Sequence, residues 1–166
     1  MAFQTAVVVS GAGSDRGATP VEPAAYDGVL AVASTDRKDR RLEESNYGTW
    51  VDVSAPGRDA FTTTAGGGYR ARSGTSIASA YVADLAGLVR SWYPDCPPHV
   101  VREQIIGTAD NIDGQNRGYE GLLGSGRIHA ARAVGEAVQV DPGDEHDRPA
   151  AQFCGERRQP SRLEPG

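Results

Sequence analysis

The sequence predicts an α/β protein in which a parallel sheet is flanked by helices. Two observations support this class. Short runs of β-branched and apolar residues occur three times in the first third of the chain, and such nearly continuous apolar strands are typical of a parallel sheet covered on both faces. Longer segments in the second half repeat apolar residues every three to four positions, which indicates helices. At 166 residues the chain is long enough for one domain and a tail.

The strands come first along the chain. Residues 5–10, 28–34 and 50–54 are predicted as three strands, the third closed by Ala-Pro-Gly. Residues 61–72 are predicted to form a hairpin around three consecutive glycines, at the edge of the core.

Three helices follow. The first is predicted over residues 76–92, where Pro94 ends a pattern formed by Ala78, Val82, Leu85, Ala86 and Val89. The second begins near Pro98, and the last covers about residues 130–138. Residues 139–166 are rich in proline and charge and are predicted to be a disordered tail. The predicted folded domain is therefore 1–138.

The composition disfavours several classes of protein. A net charge of −5 leaves no basic face for nucleic acid. No apolar run approaches the roughly 18 residues that cross a membrane, so no membrane partner is expected. The N-terminus lacks the pattern of a signal peptide, and the cellular location stays open. Two cysteines, Cys96 and Cys154, are too few for a disulfide framework, although one bridge between them stays an alternative.

The glycine loop after the first strand raises the question of a bound phosphate. Gly11, Gly13 and Gly17 miss the dinucleotide-binding spacing, because the last glycine comes one residue late. Such a loop should also lead into a helix, whereas Pro20 and Pro23 follow here. The spacing therefore disfavours a nucleotide site.

The clearest chemical motif is Ser-Gly-Thr-Ser-Ile-Ala-Ser at residues 73–79. It places Ser76 on the first turn of the strongest predicted helix, where the positive end of the dipole stabilises developing negative charge. Gly74 leaves room for a substrate to approach. On local sequence alone, the interpretation of Ser76 as a simple helix cap is favoured over a catalytic one.

These residues closely resemble the nucleophile motif of the subtilisin-like serine proteases (subtilases, peptidase S8 family). Collinear similarity extends from about residue 5 to residue 138. It includes the segments 7–14, 23–33, 45–48, 51–57, 107–110 and 124–128. The resemblance implies a partial subtilisin-like three-layer fold, the C-terminal half of a catalytic domain, and hydrolysis of peptide bonds in peptide or protein substrates.

The resemblance also implies site residues. Ser76 is the expected nucleophile, and Ser14 occupies the oxyanion position, where the family has asparagine. The expected substrate-binding residues are Ser10, Gly11, Ala12, Gly13, Val21, Gly74 and Thr75. No cofactor is required. A weak calcium or sodium site is implied at the backbone carbonyls of Ala24, Tyr26 and Val29.

The family's aspartate and histidine segments precede the part that this chain matches. A serine nucleophile needs a base, and His99, His129 and His146 stand at positions expected to be surface or cap sites. We therefore expect the chain alone to be inactive, with an N-terminal half of the same domain as its partner. The alternative is a non-catalytic remnant or binding module, which Ser14, Ala80 and Asp84 favour because each departs from the family pattern.

Overall fold

The computed structural model describes residues 6–135; the predicted tail, Cys154 and His146 lie outside this range. Three parallel strands form the central sheet in the order β1, β2, β3: Val8–Gly11, Val29–Thr35 and Val53–Pro56. Val8 pairs with Val29, and Val32 pairs with Val53. All seven residues of β2 are buried, as expected for the middle strand of a covered sheet.

The third strand begins three residues later than predicted. Residues 48–51 form a turn in which the Val51 amide donates to the Gly48 carbonyl at 3.1 Å. The indole of Trp50 donates to the Ala18 carbonyl at 2.9 Å, and its ring packs against the apolar cluster that contains Ala33 and Val51. The apolar character of Trp50 and Val51 therefore reflects packing of a loop.

Helices cover one face of the sheet. Helix α1 spans Thr75–Trp92, α2 spans Pro98–Gly107, and α3 spans Ala130–Ala133. The predicted inner face of α1 is buried at all five positions, and these residues pack on Leu30, Val32 and Val53. Of the last predicted helix, residues 134–135 lie beyond the end of α3, and 136–138 fall outside the described range.

The opposite face of the sheet is covered by loops and a short 3-10 helix, Asp113–Gln115. Its apolar cluster consists of Ala12, Ala33, Val51, Ile112 and Leu123. The described part of the chain is thus a sheet between a helical layer and a loop layer, which confirms the predicted α/β class.

The predicted hairpin is present as a separate two-stranded sheet. Strands β4 (Ala60–Thr63) and β5 (Tyr69–Arg72) are antiparallel, and Gly66, Gly67 and Gly68 turn the chain with φ of 83°, 94° and 86°. All four residues of β5 are exposed. The hairpin therefore projects from the core. Within residues 6–135, no helix combines the length and apolarity that crossing a bilayer would require.

Candidate active site

Ser76 lies at the second position of α1, in a turn held by the ends of the sheet. Gly74 is the N-cap residue, with φ of 138°, and no side chain caps the helix. The Gly74 amide donates to the Gly57 carbonyl at 2.9 Å, and the Ser34 hydroxyl donates to the Gly74 carbonyl at 3.4 Å. Ser76 is therefore not the helix cap. Its turn is fixed by residues that directly follow β3 and lie within β2.

The Ser76 side chain is exposed, and its Oγ has no hydrogen-bond partner among residues 6–135. Its carbonyl accepts a hydrogen bond from the Ser79 hydroxyl at 3.0 Å. Its amide is one of the first-turn N–H groups that have no acceptor within a helix. The turn thus presents a hydroxyl beside a free amide at the positive end of an 18-residue helix.

The loop after β1 packs directly against this turn. A Cβ at Gly11 would lie 2.8 Å from both the carbonyl carbon and Oγ1 of Thr75, so only glycine fits. Ser14 Oγ lies 3.5 Å from Thr75 Oγ1. A Cβ at Gly74 would be 3.9 Å from Ser14 Oγ. The predicted oxyanion residue and the predicted nucleophile are therefore brought to neighbouring turns.

Asn46, which the sequence analysis did not single out, shapes that loop. Its side chain is buried, and Oδ1 accepts hydrogen bonds from the amides of Asp15 at 2.8 Å and Gly17 at 3.0 Å. The backbone amide of Asn46 donates to the Gly13 carbonyl at 2.9 Å. Three contacts from one residue therefore fix residues 13–17, the segment that carries Ser14.

Arg41 in turn holds the segment that contains Asn46. Its Nη1 donates to the carbonyls of Leu42 and Glu43, both at 3.0 Å. The guanidinium carbon lies 5.1 Å from the ring centroid of Tyr47 and 4.4 Å from that of Tyr119. This cation–π clamp anchors both ends of residues 41–47.

Four of the predicted substrate-binding residues, Ser10, Ala12, Gly13 and Val21, lie in or beside the loop that follows β1. A Cβ at Gly13 would meet Val21 Cγ2 at 3.3 Å and Asn46 Nδ2 at 2.6 Å, so Gly13 and Val21 lie side by side. Ser10 is half-buried, and its hydroxyl donates to the Gly11 carbonyl at 3.3 Å. Ala12 is fully buried in the second apolar cluster. Only its backbone is therefore available to a ligand.

Of the proposed cation ligands, Ala24 and Tyr26 lie in the turn before β2, and Val29 is the first residue of that strand. The Tyr26 carbonyl accepts from the Val29 amide at 3.1 Å, and the Tyr26 hydroxyl donates to Glu22 Oε2 at 2.6 Å. That hydrogen bond to Glu22 raises the pKa of Tyr26. Within residues 6–135, no group of three or more His, Cys, Asp or Glu side chains could hold a metal. One of the three carbonyls is already engaged, so the turn does not form a closed ligand set.

The two described histidines serve other roles. His129 is the N-cap of α3, where its Nδ1 accepts from the Arg132 amide at 3.2 Å. His99 is exposed on the first turn of α2. Neither is hydrogen-bonded to Ser76, so residues 6–135 hold no base in contact with that hydroxyl. Cys96 is buried and is not a free thiol, whereas Cys154 lies outside the described range.

An apolar groove of about 500 Å³ runs along the outer side of α1. We call it the α1 groove. Tyr81 and Leu88 line it and are 47% and 42% exposed, and Asp84 and Arg127 lie at its rim. The remaining lining residues are Pro56, Leu85, Ile128 and Ala130. Asp84 is exposed on α1 beside this groove.

Known proteins match this chain over most of its length. The sequence model of the Subtilase family matches residues 2–126. The chain is 44% identical over 128 residues to the thermophilic serine proteinase of Bacillus sp. (strain AK1), covering 77% of this chain and 30% of that protein. It is 39% identical over 128 residues to thermitase of Thermoactinomyces vulgaris, covering 77% of this chain and 44% of thermitase.

A solved structure of a protease from Pseudoalteromonas arctica PAMC 21717 superposes with a TM-score of 0.71 and 30% identity. The match covers 77% of this chain and 42% of that one. The chain therefore spans less than half the length of each of these relatives.

Proposed function

Because the chain belongs to the subtilase family, we propose that Ser76 is the nucleophile of a serine endopeptidase. One observation carries this proposal. The Gly74–Ser76 turn begins α1 and exposes the Ser76 hydroxyl, and the loop that contains Ser14 packs on Thr75 within that turn. A cap residue would have its hydroxyl engaged with a backbone amide, whereas Ser76 Oγ has no such contact within the described range.

The reaction is acyl transfer from a peptide to water. Ser76 Oγ attacks the carbonyl carbon as a base takes its proton, and the Ser76 amide donates to the developing oxyanion. The tetrahedral intermediate expels the amine, which takes that proton from the protonated base, and leaves an acyl-enzyme. Water then attacks the ester with the same base, and the carboxylic acid is released as Ser76 regains its proton.

Neither described histidine contacts Ser76, so in this proposal the base and its orienting acid lie outside residues 6–135. We propose that they belong to a complementary segment that covers the α1 groove, because Tyr81 and Leu88 expose large apolar side chains along it. The segment either precedes these residues in the same polypeptide or is a separate chain. Without it, the 166 residues have no peptidase activity.

The experiment is active-site labelling. The purified chain is treated with a fluorophosphonate probe, alone and after co-expression with the catalytic-domain segment that precedes the matched region in the Bacillus proteinase. We expect no adduct on the chain alone and one adduct in the complex, lost in Ser76→Ala. Ser79→Ala is the matched control, because its hydroxyl bonds the Ser76 carbonyl one turn away. An adduct on the chain alone would overturn the requirement for an external base.

The second candidate is a binding module that keeps the scaffold without the chemistry. It is favoured by Ser14, whose hydroxyl faces Thr75 Oγ1 and is shorter than the asparagine of the family. If a complex that assembles and is well folded still takes no label at Ser76, this second function replaces the first.

For the cation, we propose at most a weak carbonyl site at Ala24, Tyr26 and Val29. Backbone carbonyls suit hard ions such as calcium. The three proposed ligands include no carboxylate, so binding would be weak. A calcium titration followed by thermal unfolding tests this: stabilisation at millimolar but not micromolar calcium supports it, and none at either concentration overturns it. No chemical step depends on the ion.

A further inference from the structure

Positive charge is concentrated on the hairpin next to Ser76, although the chain as a whole has a net charge of −5. Arg58 precedes β4, and Arg70 and Arg72 lie in β5, against a single carboxylate, Asp59. We propose that Arg70 and Arg72 bind acidic side chains of the substrate beside the cleaved bond, so that the preferred substrates are acidic peptides. This inference rests on the proposed peptidase function.

The hairpin is tied to the turn that carries Ser76. The Asp59 amide donates to the Ser73 hydroxyl at 3.0 Å, and the Gly74 amide donates to the Gly57 carbonyl at 2.9 Å. Both strands of the hairpin therefore leave from the residues that position the nucleophile. Arg72, the last residue of β5, is followed directly by Ser73 and Gly74, so its charge lies next to the turn that carries Ser76.

Arg70 and Arg72 share one face of the hairpin. They pair with Thr62 and Ala60 in the antiparallel register, and alternate residues of a strand point to the same side. The cross-strand partners are small, so nothing across the ladder shields the two guanidinium groups. All residues of β5 are exposed.

Five of the other ten arginines within residues 6–135 form salt bridges, and Arg70 and Arg72 do not. Those at positions 16, 40, 102, 127 and 132 form salt bridges with Asp or Glu. Within residues 6–135, Arg70 and Arg72 form none. Their charge is therefore available to a ligand.

The other face of the hairpin stiffens it. The rings of Phe61 and Tyr69 stack with centroids 5.7 Å apart and an interplanar angle of 12°, although they are 75% and 67% exposed. Alternate side chains on β5 stand about 6.6 Å apart. A peptide bound in extended form presents alternate side chains at the same spacing, so the matching substrate carries two acidic residues separated by one.

The test is binding, which is independent of catalysis. The isotope-labelled full chain is titrated by NMR with the peptide Ala-Glu-Ala-Glu-Ala and with its Gln counterpart, at low and high salt. We expect shift changes centred on residues 58–73 and roughly ten-fold tighter binding of the acidic peptide at low salt, lost at high salt. Equal affinity for both peptides, or shifts elsewhere only, would overturn the inference.

The double variant Arg70→Glu/Arg72→Glu gives a sharper outcome. Both side chains are exposed, so the variant should keep the dispersed spectrum of the folded chain. We expect it to prefer Ala-Lys-Ala-Lys-Ala over the acidic peptide. Arg117→Glu, at an exposed site that forms no salt bridge with residues 6–135, is the matched control and should keep the original preference.

If the double variant keeps the acidic preference, the two arginines are not the recognition element. Fluorophosphonate labelling of Ser76 in the assembled complex is measured separately. Loss of labelling with an intact charge preference contradicts the peptidase function alone, and the reverse contradicts only the charge recognition.

Discussion

The α-carbon of Gly11 faces the backbone of Thr75 so closely that a Cβ would lie 2.8 Å from the Thr75 carbonyl carbon. This contact joins the end of β1 to the first turn of α1. It sets the distance between the loop that carries Ser14 and the helix that carries Ser76.

Gly11→Ala is therefore expected to destabilise the chain by about 1–3 kcal/mol, because the added methyl group overpacks a contact between two backbones. Urea unfolding followed by circular dichroism measures the change. Gly87→Ala is the control, since Gly87 is exposed in α1 and a Cβ there meets nothing within 4 Å. It should stabilise the helix by roughly 0.5–1 kcal/mol. A destabilisation of equal size in both variants would refute the packing explanation.

Asn46→Ala is expected to cost about 2–3 kcal/mol in the free energy of unfolding, because two loop amides lose a buried acceptor. It should also increase hydrogen exchange at Asp15 and Gly17, whose amides bond to Asn46 Oδ1. Asn111→Ala, at an exposed asparagine with only local hydrogen bonds, is the control and should change stability by less than about 1 kcal/mol. Unchanged exchange at residues 15 and 17 would contradict the role of Asn46.

Ser14→Asn is expected to raise kcat of an assembled, active complex, with little change in KM. An amide at this position adds an oxyanion donor, and one such donor is worth roughly 10²–10³ in rate. Ser14→Ala should leave kcat within about two-fold, because the present hydroxyl lies against Thr75 Oγ1. A large loss of rate in Ser14→Ala would show instead that the serine itself is the donor.

Two aspartates should titrate with opposite effects on stability. Burial raises the pKa of Asp52, and hydrogen bonding from the Ala31 amide and the charge of Arg102 reduce this effect without cancelling it. Partial burial acts to raise the pKa of Asp36, but hydrogen bonds from the Arg40 side chain and from the amides of residues 40 and 38 outweigh it and lower that pKa.

The stabilising effect of Asp36 is therefore present above its unfolded-state pKa and is lost as the pH falls through its lowered folded value. The effect of Asp52 is present below the unfolded-state pKa and is lost as the pH rises through its raised folded value. In melts between pH 6 and 3, Asp36→Asn should reduce the loss of stability in acid, and Asp52→Asn should increase it. Shifts of the same sign in both variants would contradict this assignment.

The α1 groove yields a prediction about assembly. Leu88→Glu places a charge among exposed apolar side chains and should abolish co-purification with the complementary segment. The stability of the chain alone should change little, because Leu88 is already 42% exposed. Ala83→Glu, at an exposed position of α1 outside the groove, should leave the complex intact. Equal retention by both variants would place the interface elsewhere.

Local patterns in the sequence predict most of the described elements. The helix over 76–92 was correct to within one residue, because a long apolar period and a proline define it. The start of β3 was wrong, since an apolar loop residue such as Trp50 resembles a strand residue in sequence. Asn46 was missed as a site residue because its partners are 29 and 31 positions away. Only the fold brings them together.

The contacts between the sheet and the Gly74–Ser76 turn also affect the order of events during folding. Gly57, Ser34 and Gly11 come from three separate parts of the chain, and each contacts the turn. All three precede Ser76, and parallel strands pair only across long connections, which makes such folding slow. The turn that carries Ser76 therefore acquires its geometry late, after the sheet has formed.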